Sequence, residues 1–206
     1  MFTIFRLRNC AMLPAFVVAI SSSAIQLFDL NILLRYERNT ILSGALWRIF
    51  TGQLAHLGWP HLVLNLATLI LIMVIYNGTF SALAWWRITL VCMVGTGVGL
   101  LVFNPKVTWY VGLSGLLHGW FAAGAIVIFL SGALEGAWLL ALLAIKLVWE
   151  QWQGSLSSFL IDANGIIIVA AHLHGALSGL GIGLLETQKI FTLNLRNSIN
   201  RGTINL

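Results

Sequence analysis

The stretch His172-Leu-His-Gly175-Ala-Leu-Ser-Gly179-Leu-Gly-Ile-Gly183 lies in a long apolar run and decides how the chain packs. Gly175, Gly179 and Gly183 recur every four residues, so they share one face of a helix. A face of small residues lets a second helix approach closely inside a membrane. His172 lies three residues before Gly175 and therefore borders that face. The spacing predicts a membrane helix whose closest helix–helix contact lies beside a histidine.

The composition excludes a water-soluble protein. Of the 206 residues, 59% are hydrophobic and 8% are charged, and the mean hydropathy is +0.94. Soluble domains average roughly 45–50% apolar and about 25% charged residues. A soluble enzyme, a disordered chain and a nucleic-acid-binding domain are therefore excluded. The net charge of +5 comes from cations scattered near the ends of apolar runs, which favours membrane lipids over nucleic acid as partners.

The length allows six membrane helices at about 20 residues each. Continuous apolar runs predict them at 11–28, 60–76, 83–103, 108–130, 133–149 and 165–185. The predicted fold class is an all-α integral membrane protein, a six-transmembrane-helix bundle that forms a single domain over residues 1–206. The connection 35–59, rich in Trp and Arg, is expected at the membrane interface. The basic segment 187–206 is expected to be a mobile tail.

The charge balance favours an orientation with the N-terminus on the inner side of the membrane. With the N-terminus inside, six cations fall on the inner side and four on the outer side. The alternative for the first residues is a cleaved signal peptide, because Arg6 and Arg8 precede an apolar stretch that ends at Ser22-Ser23-Ala24.

Three polar clusters interrupt the apolar runs, where polar groups are costly and usually functional. They are the segment from His56 through His61 to Asn65, the segment Gly112-Leu-Ser114-Gly115, and the His172 segment. Taken singly, the first two are explained at least as well by helix packing, since Gly115 and Gly119 also form a small-residue pair. In a six-helix chain all three clusters lie at similar depth below the outer surface. A serine, a histidine and two hydrogen-bond donors that converge there indicate acyl transfer.

These segments, in this order, resemble the rhomboid family of intramembrane serine proteases. The family's H-x4-H-x3-N pattern falls on 56–65, its G-x-S-G motif on 112–115, and its H-x-x-G-x-x-x-G motif on 172–179. Trp47-Arg48 followed by Thr51 is similar to its Trp-Arg motif. The runs 109–115 (Trp-Tyr-Val-Gly-Leu-Ser-Gly) and 146–151 (Lys-Leu-Val-Trp-Glu-Gln) resemble the rhombosortase branch, a bacterial group that processes exported proteins with a Gly-Gly tail.

The resemblance implies a role for each matching residue. Ser114 is the implied nucleophile and His172 the general base, a dyad that requires no acid. The Ser114 backbone N–H, His61 and Asn65 form the implied oxyanion hole. His56 is expected to brace the long connection rather than touch substrate. Gly112 and Gly115 support the serine, and neither a metal nor a cofactor is implied.

One position departs from the family pattern. The residue four after the serine is often an aromatic that packs on the catalytic histidine, and here it is His118. A neutral imidazole can stack in the same way, but it can also titrate. His118 and His174 are therefore rival bases, although His174 projects about 200° around the helix from His172.

Lys146 and Glu150 are four residues apart on the fifth predicted helix. Two interpretations stay open for them. They form an ion pair near the outer end of the helix, or they read the substrate's tail at the helix that rhomboids use as a substrate gate. Asp162 is expected in a loop and is not taken as a third catalytic residue.

The predicted function is cleavage of single-pass, membrane-anchored protein substrates, with Gly-Gly tails as the expected class. The predicted location is the bacterial inner membrane, with the site toward the periplasm. Hydrolysis and transpeptidation are both open outcomes. The alternative from another class is a membrane electron carrier that binds haem through histidine pairs. A zinc protease lacks its His-Glu-x-x-His motif here.

Overall fold

The computed structural model describes residues 12–153 and 168–200, and from residue 190 onward only the backbone is described. Arg6, Arg8 and Asp162, on which three of the sequence predictions fall, lie outside the described residues, as do residues 201–206. The described elements, in chain order, are α1 (Leu13–Leu27), α2 (Asn31–Leu34), β1 (Tyr36–Glu37), α3 (Arg38–Leu42), α4 (Arg48–Leu54), α5 (Trp59–Ile75), α6 (Ala82–Phe103), β2 (Trp109–Tyr110), α7 (Ser114–Leu130), α8 (Leu134–Gln153) and α9 (Val169–Asn200).

The first three predicted apolar segments correspond to α1, α5 and α6 within a few residues. The fourth prediction is wrong at its start, because α7 begins at Ser114 rather than at residue 108. Residues 109–110 instead form β2, and Gly112 adopts a left-handed φ of +123° that separates β2 from the helix. At the other end of the chain, α9 continues to Asn200, past residue 185 where the sixth predicted run ends and into the segment predicted as a tail.

The membrane character of the helices is visible in length and exposure. Within the described residues, α6 is long and apolar enough to cross a bilayer alone, and α4 with α5 passes the same test as one unit bent by 94°. The apolar helices α1 and α7 are shorter, at 15 and 17 residues. Six spans therefore remain a prediction. Large apolar side chains such as Phe16, Val74 and Ile145 are exposed along the bundle, as expected for surfaces that face lipid.

The centre of the bundle is the contact between α7 and α9, and glycines make it close. A Cβ added at Gly175 would lie 1.9 Å from the Gly115 carbonyl oxygen, and one at Gly179 would lie 2.0 Å from the Gly119 oxygen. Only residues without a side chain permit this backbone approach. Gly115 and Gly119, the small-residue pair noted in the sequence, thus provide the surface that the glycines of α9 contact.

The long connection between α1 and α5 is folded against the start of α7. Its strand β1 pairs antiparallel with β2, with Tyr36 opposite Tyr110. The Gly112 N–H donates to the carbonyl of Gly52 at 3.2 Å. The Thr51 hydroxyl donates to the Leu34 carbonyl, so the connection is tied to itself as well. These bonds fix the turn that precedes Ser114.

Candidate active site

Ser114 is the first residue of α7 and follows a strained turn. A Cβ at Gly112 would lie 2.7 Å from the His61 ring, so both the positive φ and the space require glycine. The Tyr110 hydroxyl donates to the Gly112 carbonyl at 2.5 Å. Burial raises the pKa of Tyr110 to about 12, which the neighbouring Gly115 N–H and Ser114 hydroxyl oppose. The hydroxyl therefore keeps its proton and holds the turn.

His172 lies in the first turn of α9, and its side chain is buried. Its Nε2 is 2.8 Å from the Ser114 Oγ, a distance at which the hydroxyl donates to the imidazole. The glycine contact explains this distance. Gly115 is next to Ser114 and Gly175 lies three residues after His172, and these two glycines bring the helix backbones together. The two residues that the sequence named as nucleophile and base are thus brought together.

Glu150 forms a line with His172 and Ser114 that was not predicted from the sequence. The buried residues of α8 are Gly136, Leu143 and Glu150, which recur every seven residues on one face. The Glu150 Oε2 is 2.7 Å from Nδ1 of His172, on the far side of the ring from Ser114. A carboxylate in an apolar run was the available signal, since such a group needs a partner. Its partner lies on another helix and could not be read from spacing.

The predicted ion pair between Lys146 and Glu150 is present, with Lys146 Nζ 2.5 Å from Glu150 Oε1. The Glu150 side chain is 0% exposed, whereas that of Lys146 is 42% exposed. The Glu150 carboxylate faces inward and both of its oxygens are engaged, which favours the ion-pair interpretation. A role of this helix face in reading a substrate tail stays a prediction. Of these two residues, Lys146 is the one that keeps exposed surface.

His118 stacks on His172, as the departure from the family pattern allowed. The two rings are 4.2 Å apart and 10° from parallel. Lys146 donates to His118 Nε2 at 2.9 Å, and because an ammonium group only donates, the proton of the imidazole is on Nδ1. That Nδ1–H donates to the Ser114 carbonyl at 2.6 Å. Both nitrogens are occupied, so neither receives the proton of Ser114 in this arrangement.

His174, the other rival base, points away from Ser114. Its Nε2 is 2.7 Å from Oδ1 of Asn104, and its ring stacks on Phe103. The ring also packs against Gly99 of α6. The helical projection that separates His174 from His172 is confirmed.

His61 and Asn65 lie one turn apart on α5, and both are buried. The Asn65 amide donates to the His61 carbonyl at 3.1 Å. The Leu57 N–H approaches Nδ1 of His61 at 3.4 Å, which leaves the imidazole proton on Nε2, the atom beside Gly112. His61 thus presents a donor toward the turn that carries Ser114.

His56 is held within the connection between α4 and α5. Its backbone N–H donates to Oδ1 of Asn31 at 2.8 Å, and its ring Nδ1–H donates to the Leu54 carbonyl at 3.0 Å. Its ring and the His61 ring pack edge to face, with 5.1 Å between the ring centroids. These contacts agree with a bracing residue rather than one that meets substrate.

A cavity of about 350 Å³ lies beside the serine, between α5, α7 and α8. Its polar lining consists of Asn65, Thr68, Ser114, His118, Lys146 and His172. The remaining walls are mostly apolar side chains such as Leu71, Phe121 and Leu142. The arrangement offers an apolar approach to a nucleophile and a base.

The ligand atoms of His118, Glu150 and His172 lie within 4.8 Å of one another, close enough to hold a metal ion. The Lys146 ammonium contacts both Glu150 and His118, so a positive charge already lies among these groups. We therefore assign no metal to the cluster, and the expectation of a metal-free site stays a prediction.

A bundle of apolar helices with a serine–histidine contact beside an apolar cavity is typical of membrane-embedded hydrolases. The chain matches the rhomboid domain family over residues 43–189, which is more than two thirds of its length. The chain therefore belongs to the rhomboid family, and is an integral membrane protein of a family of intramembrane serine proteases. No match to a curated protein was found.

Proposed function

We propose that the protein cleaves peptide bonds with Ser114 as nucleophile and His172 as general base. The observation that carries this proposal is the 2.8 Å contact between Ser114 Oγ and His172 Nε2 at the wall of the cavity. The hydroxyl proton moves to Nε2 as Oγ attacks the substrate carbonyl carbon, whose π electrons move to its oxygen. Nε2 then returns the proton to the leaving amine as the C–N bond breaks, and water releases the acyl group by the same steps.

The developing oxyanion is held by three donors: the Ser114 N–H, the Nε2–H of His61 and the Asn65 amide. The first N–H groups of a helix have no acceptor within it, and Ser114 begins α7. Each such donor typically contributes about 2.7–4 kcal/mol to the transition state. His56 supports the set by fixing the segment that carries His61.

The proposed substrates are single-pass membrane-anchored proteins whose tails carry a Gly-Gly motif. The largely apolar cavity between α5, α7 and α8 supports lateral entry of an apolar segment. Glycines unwind readily because they are poor helix formers, which would present the scissile bond to Ser114. This assignment follows the rhombosortase-like runs 109–115 and 146–151. It carries with it a location in the bacterial inner membrane, with the site toward the periplasm.

The chemistry is tested by labelling the purified protein in detergent with a fluorophosphonate probe. Wild type is expected to label, and Ser114→Ala and His172→Ala are expected to lose labelling by at least about 10³-fold. His174→Ala is the matched control, since it removes a histidine of the same helix that faces away from the site. Labelling that survives in Ser114→Ala would contradict the proposal.

The substrate assignment is tested separately by coexpression with an exported protein that carries a Gly-Gly tail, compared with the same protein carrying Leu-Leu. Cleavage of the first alone is expected, with mass spectrometry of the new C-terminus separating hydrolysis from transfer to an amine. Equal cleavage of both would contradict the Gly-Gly assignment and leave the serine chemistry intact.

A further inference from the structure

The carboxylate of Glu150 lies where it can act on His172 rather than on substrate. Its Oε2 is 2.7 Å from Nδ1, while Nε2 of the same ring faces Ser114. The side chains of Glu150 and His172 are 0% and 2% exposed. Water therefore does not compete for this hydrogen bond, and the orientation of the ring is set by these two contacts.

We propose that Glu150 is a positioning residue that converts the serine–histidine pair into a Ser–His–Glu triad. A carboxylate accepts hydrogen bonds and donates none, so Nδ1 must carry the imidazole proton. Nε2 is then the unprotonated nitrogen, as a general base for Ser114 requires. When the proton of Ser114 reaches Nε2, the positive ring lies directly against the carboxylate. This inference deepens the proposed function and rests on it for its catalytic consequence.

Lys146 holds Glu150 in its ionised, oriented form. The ammonium binds Oε1, which leaves Oε2 for the histidine. The same ammonium donates to Nε2 of His118, so it also fixes the tautomer of the ring that stacks on His172. Lys146 is thus the common partner of both groups that pack against the base.

The first test is Glu150→Gln, measured as the rate of fluorophosphonate labelling. The Lys146 ammonium attracts the amide oxygen, which turns the NH₂ group toward Nδ1 and selects the tautomer with its proton on Nε2. We expect a loss on the order of 10³–10⁴-fold, as for the corresponding amide in a Ser-His-Asp triad. Glu135→Gln is the matched control, because it makes the same change at an exposed position of the same helix and is expected to label like wild type.

The second test is rescue. In the double variant Lys146→Met/Glu150→Gln the amide is free to turn, so its oxygen accepts the Nδ1–H and the productive tautomer returns. We expect it to label at least about tenfold faster than Glu150→Gln alone. Lys146→Met alone is expected to lose less labelling than Glu150→Gln, because the carboxylate that accepts from Nδ1 is retained. A structural role for the ion pair would predict the opposite order, with the double variant the weakest.

The pH profile of the double variant gives a third readout. The ionisable groups near His172 in the described residues are Ser114, His118, Lys146, Glu150 and His61. For the protonation of His172, loss of the Glu150 carboxylate, which is in direct contact, outweighs loss of the Lys146 ammonium behind it. Compared with wild type, the acidic limb of the double variant's labelling profile is therefore expected to move to lower pH by about one unit or more.

A measurement that needs no catalysis separates this inference from the proposed function. In protein labelled with ¹⁵N-histidine, the His172 Nδ1–H is expected far downfield in wild type and absent there in Glu150→Gln and in His172→Ala. This signal can be present even if wild type fails to react with the probe, which would then count against the proposed function alone. The triad is overturned if the signal is missing in wild type, if Glu150→Gln labels within threefold of Glu135→Gln, or if the double variant shows neither rescue nor a shifted profile.

Discussion

Two buried glutamates, Glu150 and Glu186, occupy opposite ends of the same bundle and differ in what their oxygens bind. Both side chains are almost completely buried, at 0% and 3% exposure. Glu186 receives Arg87 through two bonds of 2.6 and 2.8 Å and Lys189 at 3.3 Å. Glu150 gives one oxygen to Lys146 and the other to the His172 ring.

The comparison shows how one residue type serves two purposes. At the Arg87 end, Glu186 binds two cations, Arg87 and Lys189, so its charge is neutralised. The ion pair with Arg87 joins α6 to α9. At the Ser114 end, one cation leaves a carboxylate oxygen for His172, which changes its protonation in the reaction proposed above. A bidentate arginine pair resists change, while a carboxylate shared with imidazole follows the proton.

After the losses expected for the variants of Ser114, His172 and Glu150, the next largest effect is expected from separating α7 and α9 at the Ser114 end. In Gly175→Ala the new Cβ meets backbone, at 1.9 Å from the Gly115 oxygen, so the helices must move apart. We expect a loss of labelling of about 10²-fold or more, because a shift of about 1 Å at the reacting atoms has that effect. Labelling rate and thermal stability are both measured.

Two glycines of the same helix serve as controls for that variant. Gly183→Ala meets Ala123 and Ile126 nearer the Arg87 end and is expected to lower stability with a smaller loss of labelling per folded molecule. Gly181→Ala meets nothing within 4 Å and is expected to keep both properties, with up to about 1 kcal/mol gained from helix propensity. Equal activity of Gly175→Ala and Gly181→Ala would contradict the role of the glycine contact.

The next effect concerns the Arg87 end. Glu186→Gln is expected to lower the free energy of unfolding by about 1–3 kcal/mol, since Arg87 is partly exposed and rehydrates. The labelling rate of the folded fraction is expected to stay within about threefold of wild type. A catalytic loss as large as that of Glu150→Gln, with stability unchanged, would erase the distinction between the two glutamates.

A smaller effect is expected from His118→Phe. The phenyl ring keeps the stack on His172 but loses the bonds to Lys146 and to the Ser114 carbonyl. Labelling is expected within about tenfold of wild type, because Glu150 and His172 are untouched. A loss beyond about 10²-fold would assign proton transfer to His118 instead.

The smallest effect is expected from His174→Phe, which tests the other histidine of α9. One hydrogen bond to Asn104 is lost, which corresponds to about 1 kcal/mol of stability. Labelling is expected to be unchanged, and a large loss would indicate that His174 reaches the site.

Much of the architecture was predictable because apolar runs and glycine spacing are local signals. The bounds of α1, α5 and α6 followed from hydrophobicity, and the glycine face of α9 predicted a close helix contact beside His172, which the structure makes with α7. The start of α7 was not predictable, because Thr108 to Leu113 is apolar enough to be helical. Its pairing with β1, more than 70 residues earlier in the chain, and the left-handed Gly112 decide otherwise.

The candidate site divides in the same way. Ser114, His172, His61 and Asn65 stand in short motifs that, taken together and in this order, resemble those of the rhomboid family. Glu150 was visible as a member of an i,i+4 pair with Lys146 and of the run 146–151, but nothing in the sequence connected it to His172. The angle at which α8 packs determines that its Oε2 faces Nδ1 of His172. That angle depends on side-chain packing over three helices, which no local pattern records.

The sequence by itself determined that this chain is a helical membrane protein of the rhomboid kind, with a serine and a histidine carried on helices that meet through glycines. It did so because composition, periodicity and motif spacing act within one segment at a time. Only the tertiary structure decided which groups surround His172, namely Glu150 behind the ring, His118 stacked on it and Lys146 joining the two. Those contacts depend on the relative rotation of α7, α8 and α9, since a buried polar group must find its partner wherever packing places it.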